Sequence, residues 1–178
     1  MTADEYFAVS VEGDRTQLVE GVMIVNEPTL PHAFVQANLL RVLNNWASAA
    51  PGRGFAFAPT DVVVDEYNVY GPDVSWVPEP QVPDPVVGRL KGLPGIAVEV
   101  RSPSTWRYDV GKKRAAYERT GLPELWLVDT VARSVLVYRR VSKDSVAFDV
   151  ELELSGPDEL TSPLLPGFAV RVERLFTR

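Results

Sequence analysis

A carboxylate in the middle of an apolar run, Glu99 within Ile96–Arg101 (IAVEVR), restricts this chain more than any other feature. The run has the length and composition of a core strand, and Pro103 breaks it. An ionised acid is costly to desolvate there unless a cation or a metal compensates it. A helix carrying Asp109, Lys112 and Lys113 follows directly. Upstream, Asp73 follows a Gly-Pro pair and immediately precedes a second apolar run, VSWV. Two strand-borne acids with a lysine close behind form the minimal set for a divalent-metal site that hydrolyses phosphodiesters.

Bulk properties narrow the chemistry further. A chain of 178 residues, 46% hydrophobic, is long enough to bury a real core, and we expect one domain over residues 1–178. No run of eighteen apolar residues appears, and the N-terminus lacks a basic stretch followed by an apolar one, so neither a membrane span nor a signal peptide is expected. With no cysteine, thiolate ligands, thiol nucleophiles and disulfides are excluded, which fits a reducing cytoplasmic setting. His32 is the only histidine, so a metal here must be held by oxygen, favouring Mg²⁺, Mn²⁺ or Ca²⁺.

A net charge of −6 disfavours a protein that coats nucleic acid non-specifically, but the charge is unevenly spread. Residues 101–119 hold six cations (Arg101, Arg107, Lys112, Lys113, Arg114, Arg119) against two acids (Asp109, Glu118), a net +4 that leaves −10 on the rest. Such a cluster reads equally as a solvated helix face or as a basic surface beside Glu99.

The pattern along the chain is that of an α/β or α+β protein in which sheet dominates. Strands are expected at 16–20, 22–26, 55–58, 61–64, 73–77, 96–101, 125–129, 135–139, 147–154 and 168–175. Helical spacing is expected at 32–50, ended by Pro51-Gly52, and at 108–120, with Gly121 as its C-terminal cap. Residues 78–94, with five prolines and two glycines, read as a surface loop. A helix between the Glu99 strand and the strand at 125 implies a crossover and a mixed sheet, with antiparallel hairpins added around it.

Alternation puts Glu99 and Arg101 on one strand face, while Asp109, Lys113 and Tyr117, spaced four apart, share one helix face. Lys113 can then reach Glu99, and Glu20, ending a strand before Gly21, could supply a third acid. Bland readings compete at each position. Glu99 could be a structural acid paired to Arg101 or Lys113, and Asp73 could merely finish a turn. Asp109 suits the first turn of its helix, where it favours the dipole. Tyr117 and Trp126 read as core, His32 as a packing or capping residue, and Trp76 and Trp106 as flanking the cleft.

Taken in order, Leu18-Val19-Glu20-Gly21, Pro72-Asp73, Glu99-Val100-Arg101-Ser102-Pro103-Ser104, Asp109 with Lys113 and Tyr117, Gly121-Leu122-Pro123-Glu124-Leu125-Trp126, Val128-Asp129 and Leu165-Pro166-Gly167-Phe168 resemble the PD-(D/E)xK nuclease superfamily. More narrowly they resemble the bacterial Uma-two family of restriction-endonuclease-like proteins. The superfamily's lysine two residues after the acid is absent, because Arg101 stands there, and arginine cannot serve as a base. The resemblance implies that Lys113 supplies it from the helix.

It further implies a restriction-endonuclease-like fold, a mixed sheet flanked by helices, and metal-dependent endonucleolytic hydrolysis of DNA. Asp73 and Glu99 would bind Mg²⁺ or Mn²⁺, Glu20 would complete the shell, and Lys113 would orient the attacking water. Arg101, Arg107 and Lys112 would contact backbone phosphates. By the same analogy the chain would pair into a homodimer. An inactive nuclease-fold protein that binds nucleic acid or another partner is the alternative; a carboxylate-pair glycosidase fits the basic helix less well.

Overall fold

In a computed structural model describing residues 1–11, 13–142 and 144–178, a central six-stranded sheet carries the chain. Its strands are β3 (Phe55–Phe57), β6 (Val74–Val77), β7 (Ile96–Val100), β8 (Glu124–Asp129), β9 (Ser134–Arg139) and β10 (Val150–Ser155), in the order β10-β9-β8-β7-β6-β3. Only β7 and β8 run parallel; every other pair is antiparallel, so the sheet is mixed. The parallel pair is joined through the helical segment 106–120, as a parallel connection requires. A second sheet of β1 (Thr16–Val19), β2 (Val22–Val25), β4 (Val62–Asp65) and β5 (Asn68–Tyr70) has the order β2-β1-β5-β4, and β11 (Glu159–Thr161) pairs with β12 (Ala169–Arg171).

Alternation along β7 divides the core in two. Val98 and Val100, with Ile96, Trp126 and Val128, pack against Val35, Leu39 and Leu43 of helix α2 (Leu30–Ser48) and against the C-terminal segment. Ala97 faces the other way, toward Tyr117 and Ala116 of α4 (Arg114–Thr120) and toward Val19, Val62 and Tyr70 of the smaller sheet. Glu99 shares the parity of Ala97 and therefore enters that second layer. Alternation decides the face, and the helical crossover decides what the face meets.

Three elements were not anticipated. A short helix α1 (Ala3–Val9), closed at its N-terminus by a Thr2–Glu5 capping box, anchors the N-terminus, and β5 and β11 are extra strands. The expected strand at 168–175 is shorter, with Val172–Leu175 turning into a 3₁₀ helix. The expected helix at 108–120 is three pieces: α3 (Trp106–Tyr108), a π-helical turn over Asp109–Lys113, and α4. Gly121 caps it in the left-handed conformation, φ 91°, where a side chain would be strained.

Candidate active site

Asp73 and Glu99 come together because β6 and β7 are neighbours in register. Val74 pairs with Val98 across the antiparallel ladder, and one further step places Asp73 opposite Glu99. Both carboxylates are buried, at 3% and 2% exposure. The Asp73 Oδ2 accepts a hydrogen bond from the Val100 backbone N–H at 2.7 Å, which ties it to the end of β7. Its Oδ1 lies 3.0 Å from the Nε2 of His32, in the first turn of α2. Gln36, one helical turn on, donates to the Asp73 carbonyl at 2.9 Å.

Glu99 is held from the other side. Lys113 donates to its Oε2 at 3.2 Å and the Tyr117 hydroxyl to its Oε1 at 3.0 Å. The Lys113 ammonium also sits 2.8 Å from Asp109 Oδ1, while the Thr105 hydroxyl donates to Asp109 Oδ2 at 3.0 Å. Lys113 is 1% exposed and thus bridges two acids away from solvent. Asp109 is accordingly not a dipole-favouring residue of an exposed first turn. It lies buried in the π-helical turn as the second counterion of Lys113, a position frequently associated with function.

Three acids surround one ammonium, and their protonation shows the imbalance. Burial pushes the Glu99 carboxyl up to about 8, against the pull of Lys113 and with the push of Asp109 and Asp73. Asp109 is raised too, by burial, although Lys113 draws it down. Burial lowers the lysine's affinity for its proton, but Asp109 and Glu99 together override this and hold it charged. Tyr117 is pushed well up by burial and by Glu99, so its hydroxyl keeps its proton and donates it. With every acid ionised the cluster would carry a net −2. That deficit and a donor set of hard oxygens suit a divalent cation.

The remaining expected site residues lie elsewhere. Glu20 and Gly21 are the two residues of the β1–β2 hairpin turn, both with positive φ (48° and 75°), the geometry that a two-residue hairpin demands. This turn directs the Glu20 side chain to solvent, where it pairs with Lys112 at 2.5 Å and borders a separate depression with Asp65, Asn68 and Arg119. Glu20 therefore does not join the acid pair, and Lys112 is engaged in a half-exposed ion pair. Among the described residues no three acidic or histidine side chains form a cage for a metal.

Arg101 turns sideways to Asp129, 2.8 Å away, and lies over the Trp106 ring rather than beside Glu99. Arg107 is exposed and donates to the Tyr108 hydroxyl. Trp76 does not flank a cleft; it is buried in the α2-side core, its indole N–H donating to the Arg53 carbonyl. His32, read from sequence as a packing or capping residue, and the Tyr117 hydroxyl, read as core, are the contributors that sequence reasoning did not place in the site. The i, i+4 spacing to Lys113 was available for Tyr117, whereas nothing local linked His32 to Asp73, 41 positions away.

Asp73, His32 and Gln36 line a cleft of about 1060 Å³ that is lined as well by residues 13–17 and 88–91. Glu99, Lys113 and Tyr117 are not among the residues that line this cleft.

A mixed sheet presenting paired acids at the ends of two adjacent central strands, with a lysine on the crossover helix, defines a restriction-endonuclease-like fold of the PD-(D/E)xK type. The chain belongs to the Uma2 family, whose model, described as "Putative restriction endonuclease", matches residues 3–173. Among solved structures it is similar to a protein of Anabaena variabilis ATCC 29413 titled a "putative nuclease belonging to DUF820". The TM-score is 0.79 at 21% identity, covering 99% of this chain and 97% of that one, a likeness of fold. No functionally curated protein is significantly similar to the chain.

Proposed function

We propose that this protein is a metal-dependent nuclease that hydrolyses phosphodiester bonds of DNA. The observation that carries the reading is the pairing of Asp73 with Glu99 beside the buried Lys113, in a chain of a restriction-endonuclease family. Asp73 and Glu99 would hold Mg²⁺ or Mn²⁺ by one carboxylate each, the remaining positions going to water and substrate, as is usual for these ions. A carboxylate oxygen that accepts one protein hydrogen bond keeps a second lone pair, so the existing contacts leave ligand capacity. When bound, the ion polarises the phosphoryl oxygen and lowers the pKa of a coordinated water.

The chain's own residues do the positioning. Lys113 and Tyr117 each hold one oxygen of Glu99, and the Val100 N–H holds Asp73, so neither carboxylate is free to swing. Lys113, kept charged by Asp109, would orient the attacking water and offset the charge that develops on the phosphate. The test is incubation with plasmid, single-stranded DNA and RNA in Mg²⁺ or Mn²⁺, against EDTA. Cleavage confined to the metal-containing DNA reactions, and lost together with calorimetric metal binding in Asp73→Ala, is the expected result. Metal affinity equal to wild type in both Asp73→Ala and Glu99→Ala would sink the site.

One observation favours a second reading, a nuclease-fold protein that binds but does not cut. Three of the four carboxylate oxygens of the acid pair accept protein hydrogen bonds and the fourth lies 3.0 Å from His32. DNA binding without metal-dependent cleavage would decide for it.

His32 is expected to act by positioning Asp73. In His32→Ala, metal affinity should fall roughly 10- to 100-fold, the usual range for losing the partner of a metal-ligating carboxylate. His32→Gln, which can donate at similar reach, should recover most of it. Calorimetry on both variants reads this without reference to activity.

A further inference from the structure

The basic residues expected to hold phosphates from sequence, Arg101, Arg107 and Lys112, do not line the cleft that contains Asp73. Three other cations do: Arg15, just before β1, and Arg89 and Lys91, in the proline-rich connection before β7. All three are exposed, although Arg15 lies about 75 residues from the other two in sequence. They converge because residues 13–17 and residues 88–91 line the same cleft.

The acids nearby are mostly committed. Asp14 accepts hydrogen bonds from the Val11 and Thr16 N–H groups and from the Thr16 hydroxyl, closing a local turn. Asp61 lies 3.8 Å from the Arg89 side chain, a distant surface pair. The Arg89 guanidinium rests over the Phe7 ring, 3.8 Å from its centroid, which restricts where its donors point. Neither Arg15 nor Lys91 pairs with an acid among the described residues. Gln36 and His32 line the same cleft beside Asp73.

An acidic chain that must bring a polyanion to two buried acids needs cations along the approach. We infer that the nucleic-acid strand runs into this cleft with its backbone phosphates held by Arg15, Arg89 and Lys91, so that the helix 106–120 is not the principal phosphate-binding surface. This rests on the nuclease reading of the same site and adds the substrate path to it.

The test is fluorescence anisotropy with a labelled DNA oligonucleotide, single-stranded and as a duplex, in EDTA and in Mg²⁺. The combined Arg15→Gln, Arg89→Gln, Lys91→Gln variant is expected to weaken binding at least roughly tenfold. The slope of log affinity against log salt should fall by about 2, because each phosphate contact contributes about 0.7–0.9. A charge-matched control at the exposed Arg133, Arg171 and Arg174, each changed to Gln, should stay within about twofold of wild type on both readouts. The swap Arg15→Lys, Arg89→Lys, Lys91→Arg should restore binding, which separates lost charge from lost folding. Wild-type affinity and slope in the cleft variant, or an equal loss in the control, would overturn the inference while leaving the nuclease reading intact. Failure of the wild-type protein to bind either form of DNA would overturn both.

Discussion

Lys113→Met should lower folding stability by about 3–5 kcal/mol, the range for removing one partner from a buried ion pair. The reason is that Lys113 serves two buried acids at once, Asp109 at 2.8 Å and Glu99 at 3.2 Å. Methionine fills a similar volume, so the loss reports charge rather than a cavity. For a chain of this length it corresponds to a fall in Tm on the order of 10 °C. Because the lysine's pKa is raised above its ordinary 10.5, its stabilising contribution is fully present throughout the neutral range and lost only above it. The deficit should shrink toward acid pH, where the two orphaned acids take up protons. Adding Glu99→Gln and Asp109→Asn to Lys113→Met should recover most of the loss, since the pieces belong to one network. A thermal melt of Lys113→Met indistinguishable from wild type would remove the lysine from the core cluster.

Glu99→Gln should do the opposite to stability while removing activity. In the metal-free protein Glu99 titrates near about 8, above its ordinary 4.5, so the folded state holds a proton that the unfolded chain has released. Stability contributed by that proton is fully present below about 4.5 and declines as pH rises toward about 8. A glutamine is a permanent neutral isostere. Its oxygen can still accept from Lys113 and its amide can donate to the Tyr117 oxygen, so the contacts survive. The variant should therefore match wild type near pH 5 and exceed it near pH 8, with the pH slope of Tm flattened. Cleavage should fall by roughly 10³-fold, about 4 kcal/mol of barrier, if the carboxylate holds the ion. Mg²⁺ should raise the Tm of wild type at pH 8 and leave Glu99→Gln unmoved. An equal metal-induced rise in both proteins would detach Glu99 from metal binding.

These two outcomes share one cause, a cluster with more negative than positive charge. Lysine removal worsens the excess and glutamine substitution relieves it. A metal would relieve it as well, which is why stability and activity are expected to move in opposite directions at Glu99.

Much of this cluster was legible along the chain because it depends on short-range periodicity. An acid at odd parity within IAVEV must point away from Val98 and Val100, and Asp109, Lys113 and Tyr117 recur at the interval of a helix face. The helix itself winds through a π-helical turn, and periodicity could not foresee that. Glu20 misled because its position at a strand end suggested a ligand, whereas the two-residue turn that Gly21 permits rotates it outward to Lys112. Arg101 keeps the side that alternation assigns it, but one step beyond the Val100–Val128 pair it meets Asp129 of the neighbouring strand, which takes the guanidinium at 2.8 Å in place of Glu99.

By itself the sequence determined the mixed sheet and the crossover helix, from the strand–helix–strand order of residues 96–129, and the acid that had to be compensated with the lysine that compensates it, within the 18 consecutive residues from Ile96 to Lys113. Those relations are local, set by strand alternation and helical repeat. Only the tertiary structure decided that Asp73 stands across from Glu99, that His32 backs it, and that Arg15, Arg89 and Lys91 line its approach. Such contacts depend on strand order and on which segments wrap the sheet. Burial of the whole core selects these, and no window of the chain contains them.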